Sequence, residues 1–401
     1  MEDISFQSAF RSTVAAITPL PAEVIPLDGA LGRVLAGDLH SLVDVPSADV
    51  SLKDGYALQA SDVARAREDN PVPLRLTGMI AAGSVPSGSV TGGTAVKVLS
   101  GALIPPGADA VLSREFGRER AEWIEARAGA EEGQNILFRG TDLALNQEVL
   151  RKGTRLGPLQ VGLVAASGHA RVTVHRSPRV SIIATGSEVI VPGERMGTGK
   201  VFASNLLSLA AWCSQYGLHV RASVIADDEE SITSAIQASR ETSDCIITSG
   251  GAWKGERDLV VRMLDTLGWN KVFHRVRMGP GKAVGFGLLE GKPVFCLPGG
   301  PPSNQMAFLQ LALPGVLTLS GQSDPCLPSV TVLLGETVRG QRDWTQFLWG
   351  TLHRSEQETI FQPILNPSRL QSMARAGAIL CIPEGVDCIE KGSWVDVHLL
   401  R

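Results

Sequence analysis

The sequence predicts a multi-domain α/β protein in which a doubly wound domain is joined to a helical domain, a β-rich inserted domain and a small C-terminal β domain. Three observations predict this. At 401 residues the chain is too long for one hydrophobic core. Residues 178–320 alternate apolar β-branched runs with helical patterns across short turns, the mark of a parallel sheet covered on both faces. Residues 44–138 and 326–401 instead carry short strand-like runs separated by glycine and proline.

The elements follow in chain order. "ISFQSAFRSTVAAI" sets Phe6, Phe10, Val14 and Ile17 at helical spacing and is stopped by Pro19. That apolar stripe is expected to need a partner subunit to cover it. "VIPLDGALGRVLAGDL" reads as a second short helix closed by glycines. "PLRLTGM", "GTAVKVL" and "DAVLSRE" read as strands of a β-rich insertion over 44–138. "GPLQVGLVAASG" (157–168) is helical again, with Pro158 in its first turn and Gly168 as its stop. Residues 1–43 and 139–177 therefore form one helical linker and dimerisation domain, interrupted by the insertion. Over 178–325, "RVSIIAT", "HVRASVIA", "DCIITSG" and "PVFCLPG" are the strands. "SNLLSLAAWCSQYG", "ESITSAIQASRETS" and "RDLVVRMLDTLG" are the helices between them. In 326–401, "SVTVLLGE", "GAILCIPEG" and "SWVDVHLL" return to short strands.

Composition narrows the function. A net charge of −4 without a Lys/Arg run argues against a nucleic-acid surface. The longest apolar stretch, 306–321, is broken by Gln310 and Pro314, so no membrane span is expected. The acidic "MEDISFQSAF" lacks the features of a signal peptide, and a cytoplasmic protein is expected. Six scattered cysteines without a CxxC pair read as reduced, mostly buried thiols rather than disulfides or a zinc site.

In a doubly wound sheet, ligands sit beyond the carboxyl ends of the strands. Each such end here carries a polar or glycine-rich turn. "ATGSEV" supplies Thr185, Gly186 and Glu188; "ADDEES" supplies Asp227 and Asp228. "SGGAWKG" supplies Ser249, Gly250 and Gly251; "PGGPPSN" supplies Pro298, Gly299 and Ser303. The last turn feeds a helix whose N-cap is expected at Ser303 or Asn304. Backbone N–H groups in such turns suit an anion, and Lys282 in "GPGKAVGFG" is a natural partner for phosphate. Glu188, Asp227, Asp228 and Asp258 bring carboxylates to the same edge. Two readings stand side by side: Asp227 or Asp228 caps the next helix, or the carboxylates hold Mg²⁺ against a phosphate.

Together these turns resemble the MoeA family of molybdopterin molybdenumtransferases, which includes the E domain of gephyrin. "DVPSADVSLKDGYAL" is similar to the family's DVP…MDGYA segment, and "VKVLSGALIPPGADAVL" to its GA-x-x-P-x-GAD stretch. "GQNILFRGTDL", "ATGSEV", "ADD", "TSGGAWKGERD", "GPGKAVGFG", "LPGGPPS" and "QSMARAGAILCIPEG" follow the remaining family motifs in order. The resemblance implies an elongated homodimer of four-domain subunits, the last domain a small β-barrel. It implies an active site between the molybdopterin-binding domain of one subunit and the inserted domain of the other. The implied reaction takes adenylylated molybdopterin and molybdate and, with Mg²⁺, releases the adenylate and leaves molybdenum on the dithiolene. By motif, Asp54, Ser100 and Asp142 are the partner-side residues, while Glu188, Asp228, Asp258, Lys282 and Ser372 belong to the main cleft. Glu188, Asp228 and Asp258 are the implied metal ligands. An upstream adenylyltransferase and a cofactor-receiving enzyme are the implied protein partners.

The chain departs from the family pattern at one end of that cleft. Trp253 replaces a small Ser, Gly279 a Lys and Trp349 an Arg, the residue types that bind the oxyanion in the family. Ser187, Gly300 and Lys53 are further changes. Two functions therefore stay open: an active molybdenumtransferase with a remodelled oxyanion site, or a binding and carrier protein for molybdopterin or the finished cofactor. A nucleotide-phosphate hydrolase is a third, opposed by "DGYAL" and the C-terminal segment.

Overall fold

The computed structural model describes residues 3–250, 259–355, 358–364 and 369–400. At its centre is a six-stranded sheet in the order His219–Ile225, Arg179–Thr185, Cys245–Ser249, Lys292–Leu297, Gly285–Leu289, Asn270–His274. The first four strands are parallel, and the last two are antiparallel additions. Cys245–Ser249 is buried at every residue, which is why such strands read as continuous apolar runs rather than alternating ones. Helices Ser204–Gln215, Glu229–Thr242 and Leu259–Thr266 join them. The chain steps from Arg179–Thr185 outward to His219–Ile225, then back across to Cys245–Ser249. The strand order thus reverses between the ends of Arg179–Thr185 and Cys245–Ser249, where a crevice opens.

The apolar stretch at 306–321 is core. Pro301–Ala307, a π-helical Phe308–Ala312 and Leu313–Leu319 succeed one another without a break, and the last two segments are buried at every residue. Pro314 has no N–H to give to the carbonyl of Gln310, and the π turn absorbs the missing bond. No helix among the described residues is long and apolar enough to cross a membrane.

Helix Phe6–Ala16 forms where expected, capped by the Ser5 hydroxyl accepting from the Ser8 N–H at 3.1 Å. Its covering differs from expectation. Phe6, Phe10 and Ile17 pack into the core of the α/β domain, and the Phe6 ring meets Phe347 edge-on at 5.0 Å. The stripe is satisfied within the chain, so it creates no demand for a partner. The second expected helix is also corrected. Ala22–Pro26 is a strand paired with Arg171–His175, followed by a single 3₁₀ turn, Leu27–Gly29. Pro26 disfavours helix in the residue before it, and β-branched Val24 and Ile25 suit the ribbon. Helix Pro158–Ala166 is present, but it buries only Val164 and leaves Leu159 85% and Leu163 36% exposed.

The insertion is a six-stranded sheet in the order Ala110–Ser113, Gly55–Leu58, Thr94–Val98, Val72–Ile80, Trp123–Ala126, Gly117–Arg120. The C-terminal domain closes into a small barrel because Thr345–Arg354 pairs with both Thr359–Pro363 and Ala378–Ile382, and the circuit continues through Trp394–Leu399 and Ser329–Leu334. Val276–Gly279 ties that barrel to the chain start, pairing with Ile4–Ser5 on one side and Thr345–Gln346 on the other.

Candidate functional site

The crevice at the strand switch holds a cavity of about 520 Å³. Thr185, Glu188, Ser249, Gly250 and Gly299 form its strand-end wall. Gly250 has φ +105°, and a Cβ there would overlap the carbonyl oxygen of Thr185, so only glycine fits this turn. Its N–H donates to the Leu297 carbonyl at 3.1 Å, joining the ends of two strands.

Two asparagines hold these turns. The buried Asn304 donates through Nδ2 to the Ser249 hydroxyl at 3.0 Å and to the Pro298 carbonyl at 2.9 Å. Asn205 donates to the Gly299 carbonyl at 2.8 Å. The expected capping role for Ser303 or Asn304 is corrected: the N-cap is Gly300, and Pro301 and Pro302 fill the first turn, where no N–H partner is needed. Ser303 stands within that helix and Pro298 behind the turn, and neither lines the cavity. Gly186 follows Thr185 at φ +151° and packs beside the Glu188 side chain. Both asparagines follow a serine near a helix start ("SNLLSL", "SNQMAF"), a repeated pairing that sequence reasoning passed over.

The opposite wall is apolar, built by Met196, Val201 and Phe202. Among the described residues, the one cation lining the cavity is Lys200, whose Nζ donates to the Ser187 carbonyl at 2.6 Å. Lys282, expected there, sits elsewhere: its Nζ lies 4.8 Å from the centre of the Trp344 ring in the C-terminal domain.

The two adjacent aspartates separate by role. Asp228 is the N-cap of Glu229–Thr242 and accepts from both the N–H (2.8 Å) and the hydroxyl (3.0 Å) of Ser231. These hydrogen bonds, the backbone one foremost, hold its carboxyl below the usual range. Asp227 accepts from the hydroxyl of cavity-lining Thr185 at 2.9 Å. Among the described residues no three His, Cys, Asp or Glu side chains converge as a metal cluster. The cavity does offer hard oxygen donors in Glu188 and, behind Thr185, Asp227. That set suits Mg²⁺, which commonly takes only one or two carboxylates from protein. Gly251, Trp253 and Asp258 lie outside the described residues.

Asp54 and Ser100 come together on the insertion, where the Ser100 N–H donates to the Asp54 carboxylate at 2.8 Å and both residues are exposed. Asp142 is exposed in a separate turn, its N–H bonded to the Val45 carbonyl at 2.9 Å. None of the three lines the strand-end cavity. All six cysteines are free, and burial pushes the Cys213 thiol up to about 12 and Cys381 to about 11.

A second cavity of about 390 Å³ adjoins the first and shares Ser204, Asn205, Pro301 and Leu370 with it. Trp349 and Trp212 form part of its wall. The Trp349 Nε1 is buried and has no hydrogen-bond partner among the described residues. Buried Ser372 is on helix Arg369–Arg375, which contributes Leu370 and Met373 to this cavity.

Comparison with known proteins agrees with this architecture. Family models match in sequence: the MoeA N-terminal region (domains I and II) over residues 4–168, a probable molybdopterin-binding domain over 181–318, and the MoeA C-terminal region (domain IV) over 331–400. Molybdopterin molybdenumtransferase 2 of Mycobacterium tuberculosis is 31% identical, over 93% of this chain and 94% of the relative. Molybdopterin molybdenumtransferase of Bacillus subtilis is 30% identical, over 94% and 90%. A crystal structure of the molybdopterin biosynthesis MoeA protein of Pyrococcus horikoshii superposes with a TM-score of 0.84 at 29% identity, covering 99% of this chain and 100% of that one.

Proposed function

Because the chain belongs to the MoeA family, an enzyme family of molybdenum cofactor biosynthesis, we propose that it binds adenylylated molybdopterin in the strand-end cavity, releases AMP and passes molybdenum from molybdate to the dithiolene. The observation that carries this reading is the glycine wall at the strand switch. Gly250 and Gly299 bring backbone within reach of a phosphate, and Asn205 and Asn304 hold both turns in place before any ligand arrives. Lys200 supplies positive charge at the rim, and the Phe202 face suits a flat pterin.

Glu188 and Asp227, with Asp258 of the family motif, are the proposed holders of Mg²⁺; Asp228 is less suited, because Ser231 occupies both its oxygens. When bound, the ion neutralises charge at the phosphate as a Lewis acid. The protein's own part is to fix the phosphate against fixed donors and to exclude water from the apolar wall. A homodimer is part of the proposal, supported by the exposed Leu159 and Leu163 on helix Pro158–Ala166. It would bring Asp54, Ser100 and Asp142 of one subunit to the cleft of the other.

A second reading, a carrier that binds the pterin and inserts no metal, is favoured by Trp349, an indole with one donor where the family has a cation. The deciding experiment incubates the protein with adenylylated molybdopterin, with and without molybdate and Mg²⁺, and follows AMP release and metal insertion separately. Release with insertion supports the enzyme. Binding with neither supports the carrier. Absence of pterin binding refutes both.

A further inference from the structure

The parallel sheet carries a polar cleft at its other end, by the amino ends of its strands. A cavity of about 380 Å³ there is lined by Glu23, Arg33, Arg176, Ser177, Arg179 and His219. Arg179 and His219 are the first residues of strands Arg179–Thr185 and His219–Ile225. The cleft is therefore a full strand length, about 20 Å, from the Thr185 wall of the first cavity. Sheet topology favours ligands at the carboxyl ends, so the character of this cleft comes from its arginines. Their charge is not fully balanced. Buried Asp244 accepts from Arg176 through both carboxylate oxygens, at 2.7 and 2.8 Å, and from the Arg179 guanidinium at 3.3 Å, so one carboxylate serves two cations. Arg33 is paired with Glu23 and donates to the His175 carbonyl at 2.9 Å. A guanidinium has five N–H donors, and these bonds leave several of them unspent. A smaller recess shares Arg33 and Ser177 with the cleft. In it Arg155 lies 5.4 Å from the centre of the Tyr216 ring, and among the described residues no carboxylate pairs with it. The recess, about 10 Å³, has the size of a single water. Two buried acceptors at it, Gln322 Oε1 and His175 Nε2, have no partner among the described residues; the His175 Nδ1 carries the hydrogen, because it faces the Leu20 carbonyl at 2.7 Å. Buried acceptors call for a donor, and a water donating to both extends the hydrogen bonding of the cleft inward.

From this arrangement we infer that the arginine cleft binds a phosphate group, free or as a phosphomonoester, at a site separate from the strand-end cavity. Three guanidiniums line one cavity, and positive charge remains after Asp244 and Glu23 are counted. That excess suits a dianion, and the planar fork of arginine matches phosphate oxygens two at a time. The ion pairs hold the guanidiniums in place, so the anion meets a site already organised for it. Glu23 and Arg33 come from the first domain, and Arg179 and His219 from the α/β domain, so the ligand bridges the two. The inference stands apart from the reading of the first cavity and does not depend on it.

The test titrates the full chain with inorganic phosphate, ribose 5-phosphate and acetate, by calorimetry at constant ionic strength. Phosphate should bind with a Kd of about 1 mM or below, and acetate about tenfold more weakly or worse. Arg179→Gln keeps the Arg176–Asp244 pair and the Arg179 backbone N–H to Asp244 at 2.9 Å, so the fold is retained. It should weaken phosphate about tenfold, the lower value of one charge-assisted hydrogen bond. Glu23→Gln tests by gain: removing a like charge from the rim should tighten phosphate about threefold, which damaged folding cannot do. Lys200→Gln, at the first cavity, should leave phosphate affinity within about twofold. Ribose 5-phosphate binding about tenfold more tightly than phosphate sustains the site and identifies a phosphorylated metabolite as its ligand, whereas equal affinity sustains it for the free ion. The site is refuted if phosphate does not bind at about 10 mM, if acetate matches it, or if Arg179→Gln and Glu23→Gln both leave affinity unchanged. A loss in Lys200→Gln with none in Arg179→Gln would assign the phosphate to the strand-end cavity and overturn the inference equally.

Discussion

Replacing Asn304 by alanine should loosen the ligand-binding edge of the sheet while leaving the rest of the fold in place. Asn304 is fully buried, and its one NH₂ group serves two acceptors on two different strand ends: the Ser249 hydroxyl at 3.0 Å and the Pro298 carbonyl at 2.9 Å. Alanine removes both donors at once. The Ser249 hydroxyl can rotate to another partner, but the Pro298 carbonyl is fixed. A buried acceptor left unpaired costs about 1–3 kcal/mol, and a further buried hydrogen bond about 1 kcal/mol. The local cost is then roughly 2–4 kcal/mol, a factor of about thirty to seven hundred at 1.4 kcal/mol per decade. Asn205→Ala is the internal control. It loses a single bond, to the exposed Gly299 carbonyl, worth about 0.5–1.5 kcal/mol. Because a four-domain chain does not unfold in one step, the readout is amide hydrogen exchange over Cys245–Gly250 rather than a global midpoint. Exchange there should accelerate some tens to hundreds of fold in Asn304→Ala and by no more than about tenfold in Asn205→Ala. Pterin affinity should fall in the same order. Protection unchanged within about threefold in Asn304→Ala, or a larger effect from Asn205→Ala, would refute the idea that Asn304 holds the two turns together.

Three further outcomes follow from the structure. Burial alone would raise the Asp244 carboxyl, but hydrogen bonds from Arg176 and Arg179 outweigh it and hold the group well below the usual range. Its contribution to stability is therefore complete above an unfolded value of about 3.9 and is lost as pH falls below that; Asp244→Asn should flatten the acid limb of a stability–pH curve, and an unchanged limb would contradict the assignment. Trp349→Arg should tighten molybdate binding by about ten- to a hundredfold, the value of one charge-assisted hydrogen bond, measured by calorimetry with inorganic molybdate. Tight molybdate binding by the unaltered protein would mean that Trp349 only packs. Leu159→Asp places a charge on the exposed face of helix Pro158–Ala166 and should convert a dimer to a monomer in light scattering, whereas a dimer that persists moves the interface elsewhere.

How much of the fold was legible depended on what each element buries. The parallel strands were plain because burial on both faces forces continuous apolar runs, as in Cys245–Ser249. The segment around Val24 was misread because helical spacing of apolar residues says nothing of the ribbon partner at Arg171–His175, which is far away in the chain. The stripe of Phe6 and Phe10 correctly announced that something covers it, but periodicity cannot distinguish the chain's own Phe347 from a second copy. Helix Pro158–Ala166 shows the converse: its apolar sequence looks like core, yet the fold buries only Val164 fully, packs Val161 partly against the same cluster and leaves Leu159 and Leu163 exposed.

The site divides along the same line. Gly250 was legible because a left-handed turn at the end of a buried strand demands glycine locally. Asp227 and Asp228 were not separable, since both precede the same helix and only the Ser231 contacts decide which one caps it. Asn205, Asn304 and Lys200 act on partners supplied by other turns, so the repeated serine–asparagine pairing marks two helix starts without saying which groups the amides hold. Trp349 joins the two kinds of information. Resemblance marks it as a departure from a family arginine, but a departure acquires meaning only from the register that aims it. A strand slipped by one residue would turn Leu348 toward the α/β domain and Trp349 into the barrel. The observed pairing of Trp349 with Ile379 and of Leu348 with Leu380 fixes the register that sets the indole against the second cavity. Any account of this substitution therefore has to begin from the cavity wall against which the register sets the indole, built among the described residues from Trp212, Trp349 and uncharged polar side chains.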